Sequence, residues 1–343
     1  MNAPAGSFAP TVRTADPGEP AVEAFVRARP EATPFHLPQW SRAIASGTGQ
    51  RAHLLVVERG GEIHGLLPLT ELRSRLFGAA LVSTGFGVDG GILAGDDVAV
   101  AALAGAAVDL AAARGCPSVE LRGGKHPDGW RKAEGAYAGF VRELPADEEA
   151  VLNTIPRKQR AEVRRALTFG LDIAMGDAEA HYRAYAESVR NLGTPVFPRA
   201  LFTSVLREYG ADADILTVSR DGKPLASVLS LYLNGTVYPY WGGGTHAARA
   251  ARANELMYYA LMRHAVRRGC TRFDFGRSKL GTGAFAFKKN WGFEPKPLVY
   301  AHWGEAREVN PLSPKYRLKI AAWRKLPLWL ANRLGPPIAR GLG

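Results

Sequence analysis

The sequence predicts an α/β fold made of two tandem domains, each a mixed, mostly antiparallel sheet flanked by helices. Three observations carry this expectation. A chain of 343 residues is longer than one hydrophobic core ordinarily serves. LLVVERGGEIHGLLPL from Leu54 and ILTVSRDGKPLASVLSL from Ile215 each read as an apolar strand, a tight glycine-bearing turn and a second apolar strand. Further on, ARGCPSVELRGG and RRGCTRFDFGRS each join a basic helix end and a glycine to a cysteine and a short strand with one acidic residue. A single repeat at so long a period indicates duplicated domains and not a solenoid.

The elements follow in order. Residues 1–20, MNAPAGSFAPTVRTADPGEP, carry neither a basic start nor an apolar run, so they read as a flexible arm and not as a secretory signal. The first domain is expected over 21–150. Its apolar helix, VAVAALAGAAVDLAAA at 98–113, contains Asp109 and meets Arg114, and is too short and interrupted to span a bilayer. A basic linking helix is expected over 151–170, a second domain over 171–306 and a basic amphipathic tail over 307–343. In the second domain, Asp221-Gly222 and Asn234-Gly235 are hairpin turns joining three successive antiparallel strands. Asn254 is expected to cap a helix over about 255–268 that Gly269 ends. TRFDF then forms a strand, and Thr282 or Gly283 opens a short helix that Gly292 closes. A meander followed by a helix and a parallel strand gives a mixed sheet.

Composition bounds the partners. A net charge of +12 predicts attraction to something anionic: nucleic acid, a phosphorylated substrate or an acidic membrane surface. Cys116 and Cys270 occupy equivalent places in separate domains and read as small buried hydrophobes, which suits a reducing cytoplasm. The histidines form no H-E-x-x-H pattern, and neither C-x-x-C nor a G-x-S-x-G elbow occurs, so no metal or covalent nucleophile is expected. GFGVDG at 85–90 fits the dinucleotide fingerprint in letters only, because no helix opens directly on it. As a glycine-rich strand end it could border an acceptor pocket.

This order of elements resembles the GNAT acyltransferase fold, and two such units in tandem resemble the FemAB family. PYWGGG at 239–244, ANELMYYALM at 253–262, FDFGRSKLGTGAFAFKKNWGFEP at 273–295 and LGPPIARGLG at 334–343 are similar to the FemAB-like branch associated with exosortase (PEP-CTERM) systems. The resemblance implies direct transfer of an acyl or aminoacyl group, without tightly bound cofactor, from acyl-CoA or aminoacyl-tRNA. The acceptor would be an amine of a cell-envelope or exopolysaccharide precursor, a lipid-linked saccharide among them. One departure stands out: THAARAARAN at 245–254 replaces the glycine-rich loop that holds the CoA pyrophosphate at a helix N-terminus in ordinary GNAT enzymes. Either Arg249, Arg252 and Asn254 meet that phosphate, or the donor is not CoA.

The resemblance places a catalytic lysine after the aromatic of an F-K pair, here Phe287-Lys288. A fixed ammonium there could stabilise the oxyanion of acyl transfer, with Lys289 beside it; the alternative is a solvated helix face. Asp274 is either the base that takes the amine's proton or a strand-end partner of Arg277. Arg277, Ser278 and Lys279 follow the carboxyl end of that strand, where α/β sheets place ligands. Tyr240 and Trp241 lead into three glycines, suiting either a ligand's close approach or a core strand. Arg157, Arg160 and Arg164 recur on one helix face and read as a stripe for an anionic substrate or for water. From Pro311 the tail carries Lys315, Arg317, Lys319, Arg324, Lys325, Arg333 and Arg340 among Tyr316, Ile320, Trp323, Leu328 and Trp329. That pattern describes a segment lying on an anionic membrane, giving a cytoplasmic protein peripheral to the inner membrane, or else a tail docked on its own domain. Two other functions fit the same residues: a conventional acyl-CoA N-acetyltransferase acting on a small amine, and a non-catalytic binder of membrane or polysaccharide.

Overall fold

The computed structural model describes residues 9–305 and 317–343. In chain order the first elements are β1 (Thr11–Ala15), α1 (Pro20–Arg27), α2 (Pro38–Thr48), β2 (Arg51–Arg59), β3 (Glu62–Ser74), β4 (Gly78–Ser83), β5 (Leu93–Ala94), α3 (Asp97–Ala113), β6 (Ser118–Arg122) and β7 (Arg131–Ala133). There follow β8 (Tyr137–Glu143), α4 (Val151–Thr154), α5 (Arg157–Leu167), β9 (Asp172–Met175), α6 (Ala178–Leu192), α7 (Arg199–Tyr209), β10 (Ala213–Arg220), β11 (Lys223–Leu233) and β12 (Thr236–Gly244). The chain continues through α8 (Ala253–Arg267), β13 (Arg272–Lys279), α9 (Gly283–Asn290), β14 (Pro295–Pro297), β15 (Tyr300–Gly304), α10 (Arg317–Lys325) and α11 (Leu328–Ala339).

Two compact units result, each with its own sheet and helices. The first runs to Ala133 and takes back β15; its strand order is β1-β2-β3-β4-β6-β15-β7, with β5 paired to β3. The second covers Glu134–Leu298 with α10 and α11, in the order β14-β8-β13-β12-β11-β10-β9. Both sheets are mixed and mostly antiparallel, as the sequence predicts.

Local sequence explains the regular parts. Asp221 and Gly222 have φ of 51° and 71°, and Asn234 and Gly235 have 47° and 69°. Positive φ at both central residues is the turn whose twist matches paired strands, and Asn-Gly and Asp-Gly tolerate it best. α3 is capped by Asp96, whose Oδ1 accepts from the Ala99 N–H at 2.8 Å, and it buries Leu103 and Ala107 against Leu55, Leu67 and Leu81 of the first sheet. α8 buries Leu256, Met257 and Leu261 against Val218, Val228 and Val237 of the second. Both cysteines are free and buried. Among the described residues no helix is long and apolar enough to cross a membrane.

The structure departs from the expected boundaries. Residues 11–15, within the expected arm, form β1 on the edge of β2, where Arg13 binds both Glu19 and Glu58 at 2.6 Å. The linking helix is two helices, broken at Ile155-Pro156, and both belong to the second unit. The larger departure is a reciprocal strand exchange. β8, assigned to the first domain, lies between β13 and β14, while β15, assigned to the second, lies between β6 and β7. The cause is visible at β13. It pairs with β12 only at Thr236–Arg272 and Val237–Phe273, and the two parallel strands then separate. The free edge of β13 is satisfied by β8 from Arg272–Glu143 to Lys279–Tyr137.

Tail residues Lys315 and Tyr316 lie outside the described residues. From Arg317 to Leu342 the tail belongs to the second unit, while Gly343 falls to the first, its carbonyl accepting from Arg122 Nη2 at 3.2 Å. Arg324 Nη2 donates to the Leu192 carbonyl at 3.1 Å, and Arg190 Nη1 donates to the Arg324 carbonyl at 3.2 Å. α11 buries Ala331, Gly335 and Ala339, a small-residue face that lets it lie close, while Leu318 stays 86% and Trp329 68% exposed.

Candidate functional site

The second unit brings Lys288 and Asp274 together beside the point where β12 and β13 part. Thr282 caps α9 by accepting the Phe285 N–H at 3.3 Å, and Gly292, at φ 80°, follows the helix end. Eight residues make barely two turns, so facing is decided residue by residue: Lys288 is buried and its neighbour Lys289 is exposed. Opposite, β13 bulges. Asp274 pairs with Val141 and Arg277 with Gly139, leaving Phe275 and Gly276 against Phe140 alone. Gly276 takes φ of 65°, a conformation costly for any other residue.

The bulge offers its carbonyls to the lysine. Lys288 Nζ donates to Gly276 O at 3.1 Å and to Arg277 O at 2.9 Å, and lies 5.3 Å and 5.4 Å from the ring centroids of Phe140 and Phe275. An ammonium has three N–H donors, so one is left for a substrate. Burial brings the Lys288 pKa down to about 7; the Asp274 charge opposes that shift and Arg277 adds to it. Burial likewise pushes Asp274 up to about 6, against the Gly276 N–H, which it accepts at 2.8 Å, and the nearby Lys288 and Arg272 charges. Both groups change charge near neutrality, which suits proton transfer and oxyanion binding.

The other expected residues divide. Ser278 is buried beside these groups, and among the described residues its hydroxyl has no hydrogen-bond partner. Arg277, the partner expected for Asp274, lays its guanidinium over the Tyr137 ring at 4.7 Å, and Lys279 is exposed at the strand end. Tyr240 is the extra residue of a second bulge, since Leu229 faces Trp241 while Ser230 faces Pro239. Trp241 is core: it is buried against Phe202, with ring centroids 5.0 Å apart. Of the arginine stripe, Arg157 and Arg164 are exposed, but Arg160 turns back to the Ile155 carbonyl at 3.0 Å and the Asn153 carbonyl at 3.0 Å, closing the break between α4 and α5.

The start of α8 is not the expected anion cradle. Arg252, at φ 51°, is the cap residue, because its carbonyl accepts the first helical bond from the Leu256 N–H at 3.1 Å. Asn254 therefore sits inside the first turn, its amide so close to Gly244 that a side chain there would collide with it. Arg252 pairs with Glu162 at 2.5 Å. Glu255 occupies the same first turn, its carboxyl raised by burial and by Glu162. Arg249 is exposed. Glu162 and Glu255 thus both lie beside the first turn of α8.

Two contributors were missed by sequence reasoning. Phe140 reaches Lys288 through the strand exchange, and Tyr258 of α8 packs on Phe275 at 4.7 Å and Phe287 at 5.7 Å. ANELMYYALM belongs to the FemAB-like resemblance, yet helical spacing alone does not single out Tyr258. In the first unit the GFGVDG segment is structural: Trp40 Nε1 donates to Gly85 O at 3.1 Å, Thr33 Oγ1 donates to Asp89 O at 2.9 Å, and β5 follows in place of a helix. Among the described residues no group of three or more His, Cys, Asp or Glu is placed to hold a metal ion.

Comparison with known proteins agrees with this fold. Residues 150–289 match the family model described as an acetyltransferase (GNAT) domain. The structure is similar to the crystal structure of FemX, with 16% identity, 90% of this chain and 99% of that chain covered, and a TM-score of 0.64. It is also similar to the C-terminal domain of a putative lysylphosphatidylglycerol synthetase from Agrobacterium fabrum (12% identity, 83% and 92% covered, TM-score 0.54). A third is a tandem GNAT protein from the clavulanic acid biosynthesis pathway (13% identity, 86% and 98% covered, TM-score 0.50). No curated protein matches the sequence. The fold is two GNAT-like domains in tandem, and the segment carrying Asp274 and Lys288 lies within the matched GNAT domain.

Proposed function

We propose that this chain is a FemAB-like N-acyltransferase that moves an acyl or aminoacyl group onto an amine of a cell-envelope or exopolysaccharide precursor. The observation that carries the reading is the buried Lys288 ammonium, held by two backbone carbonyls with one donor unused, beside Asp274. In the reaction the acceptor nitrogen attacks the donor carbonyl carbon and the carbonyl π pair moves to oxygen. Lys288 donates its third N–H to that oxyanion, and Asp274 takes the proton lost by the nitrogen. The oxyanion then re-forms the carbonyl and expels the donor's alcohol or thiol, which leaves protonated by Asp274. Ser278 and Lys279 contact the substrate, as does Tyr240 at its bulge.

An aminoacyl ester is favoured over acyl-CoA as donor, because Glu162 and Glu255 oppose a pyrophosphate at the start of α8. The likeness to FemX supports this, as does the domain whose name specifies lysyl attachment to a lipid. The exposed Leu318 and Trp329, with Arg317, Lys319 and Arg333 nearby in sequence, suit peripheral contact with an anionic cytoplasmic membrane. Membership of the exosortase-associated branch rests on the C-terminal motifs quoted above.

The test is to purify the protein from its own cells, identify any co-bound donor by mass spectrometry, and titrate CoA by calorimetry. Absence of CoA binding together with aminoacyl transfer supports the reading; tight CoA binding and acetyl transfer favour the acetyltransferase. A Lys288→Ala protein that folds and keeps its cellular function would instead mark the chain as a non-catalytic binder.

A further inference from the structure

We propose that the first unit holds a separate binding site for an organic ammonium ion, in the cleft between α3, the β6–β7 connection and β15. The cleft encloses about 350 Å³ and is lined by Trp130 and Trp303, by Asp97 and Asp128, by His126, and by a floor of small α3 residues that includes Gly105. That volume lies within the range of small-molecule sites, about 300–1,000 Å³.

The chemistry of the lining selects the ligand. Both indoles are half-buried, pack against the core of the unit and line the cleft. Two carboxylates share the space, and no Lys or Arg is among the lining residues, in a chain whose net charge is +12. Indole and carboxylate together favour a cation with apolar flanks: the ring attracts positive charge through its quadrupole, most strongly for tryptophan, and the acids supply the counter-charge. An anionic ligand, which the rest of the chain would attract, is disfavoured here.

Gly105 gives a second and independent reason. A glycine inside a helix is destabilising relative to alanine, because its backbone loses more freedom on folding. Packing does not require it, since a Cβ at Gly105 would meet no atom within 4 Å. What the missing side chain preserves is the open floor of the cleft. The walls are likewise fixed: His126 Nε2 lies 3.2 Å from the Val299 carbonyl, tying the β6–β7 connection down, and Trp303 arrives on the exchanged strand β15. The proposal does not depend on the acyltransferase reading.

The experiment titrates the full chain by calorimetry with two matched pairs. One is choline against its neutral isostere 3,3-dimethylbutanol, and the other is glucosamine against N-acetylglucosamine. The expected result is saturable binding of at least one ammonium, at least tenfold tighter than its neutral partner. Choline binding assigns a quaternary headgroup, and glucosamine binding a primary ammonium on a sugar ring. Gly105→Leu should abolish that binding while leaving the melting temperature unchanged or higher, and Asp128→Asn should weaken it about tenfold. Absence of saturable binding in both pairs overturns the proposal. So does equal binding within a pair, or binding that survives Gly105→Leu.

Discussion

The two units present the same place in the fold with opposite uses of their polar groups. Four residues after its cysteine, β6 carries Glu120, and four after its own, β13 carries Asp274. Glu120 accepts from Arg122 Nε at 2.6 Å, and Arg122 Nη1 reaches the carbonyls of Thr84 at 3.4 Å and Gly87 at 3.2 Å, so carboxylate and cation are consumed in holding the GFGVDG segment. Asp274 instead accepts one backbone N–H, and its cation, Lys288, retains a donor. Where β6 has Arg122, β13 has Gly276, whose positive φ makes the bulge. After duplication, one copy can be read as scaffold while the other keeps titratable groups with spare capacity.

Mutations can break this contrast. Lys288→Met should lower kcat by about 10²–10³-fold in a transfer assay with the melting temperature little changed, the usual loss for one oxyanion donor. Arg122→Met in the first unit should do the reverse: a fall in melting temperature, and kcat within a few-fold. Asp274→Asn should cost about 10²-fold in kcat/KM, as for loss of a general base. It should also remove the acid limb of the pH profile. In the unaltered protein that profile should be a bell. In the proposed reaction Asp274 serves as base only when deprotonated, so activity should rise as pH climbs through about 6, and Lys288 serves as cation only when protonated, so activity should fall through about 7. Gly276→Ala should destabilise by about 1–2 kcal/mol in denaturant titration, the cost of a left-handed residue with a side chain. Glu162→Gln, the smallest change, frees Arg252 and should at most bring weak CoA binding into the range of calorimetry, where the unaltered protein shows none, without altering the fold.

Local chemistry was legible in the sequence where it acts over a few residues. Asp221-Gly222 and Asn234-Gly235 have the positive φ values their hairpins require, and Thr282 caps the short helix as its hydroxyl suggests. Lys288 stands out because the FemAB resemblance places a lysine after the aromatic of an F-K pair, and it is the buried member of its pair. What stayed hidden depends on pairing at long range. No local pattern says that YAGFVRE joins the second sheet, so neither the exchange nor Phe140 beside Lys288 could be read. Bulges are a matter of register, which alternation alone leaves open, so the sequence suits Trp241 equally to ligand and to core. Arg160 looked like one cation of a stripe because helical periodicity ignores the carbonyls freed by the break at Pro156. The tail's cations and aromatics resembled an interfacial helix, whereas the small residues Ala331, Gly335 and Ala339 were the signal for docking.

The most direct test of the Lys288–Asp274 pair needs no substrate. Lysine labelled at the ε carbon can be followed by NMR through a pH titration, with Lys288→Met assigning the resonance. One lysine should titrate near 7, and Asp274→Asn should move it lower still, because the carboxylate that favours the ammonium is gone. A Lys288 resonance titrating at the ordinary lysine value of about 10.4, and indifferent to Asp274→Asn, would contradict the account.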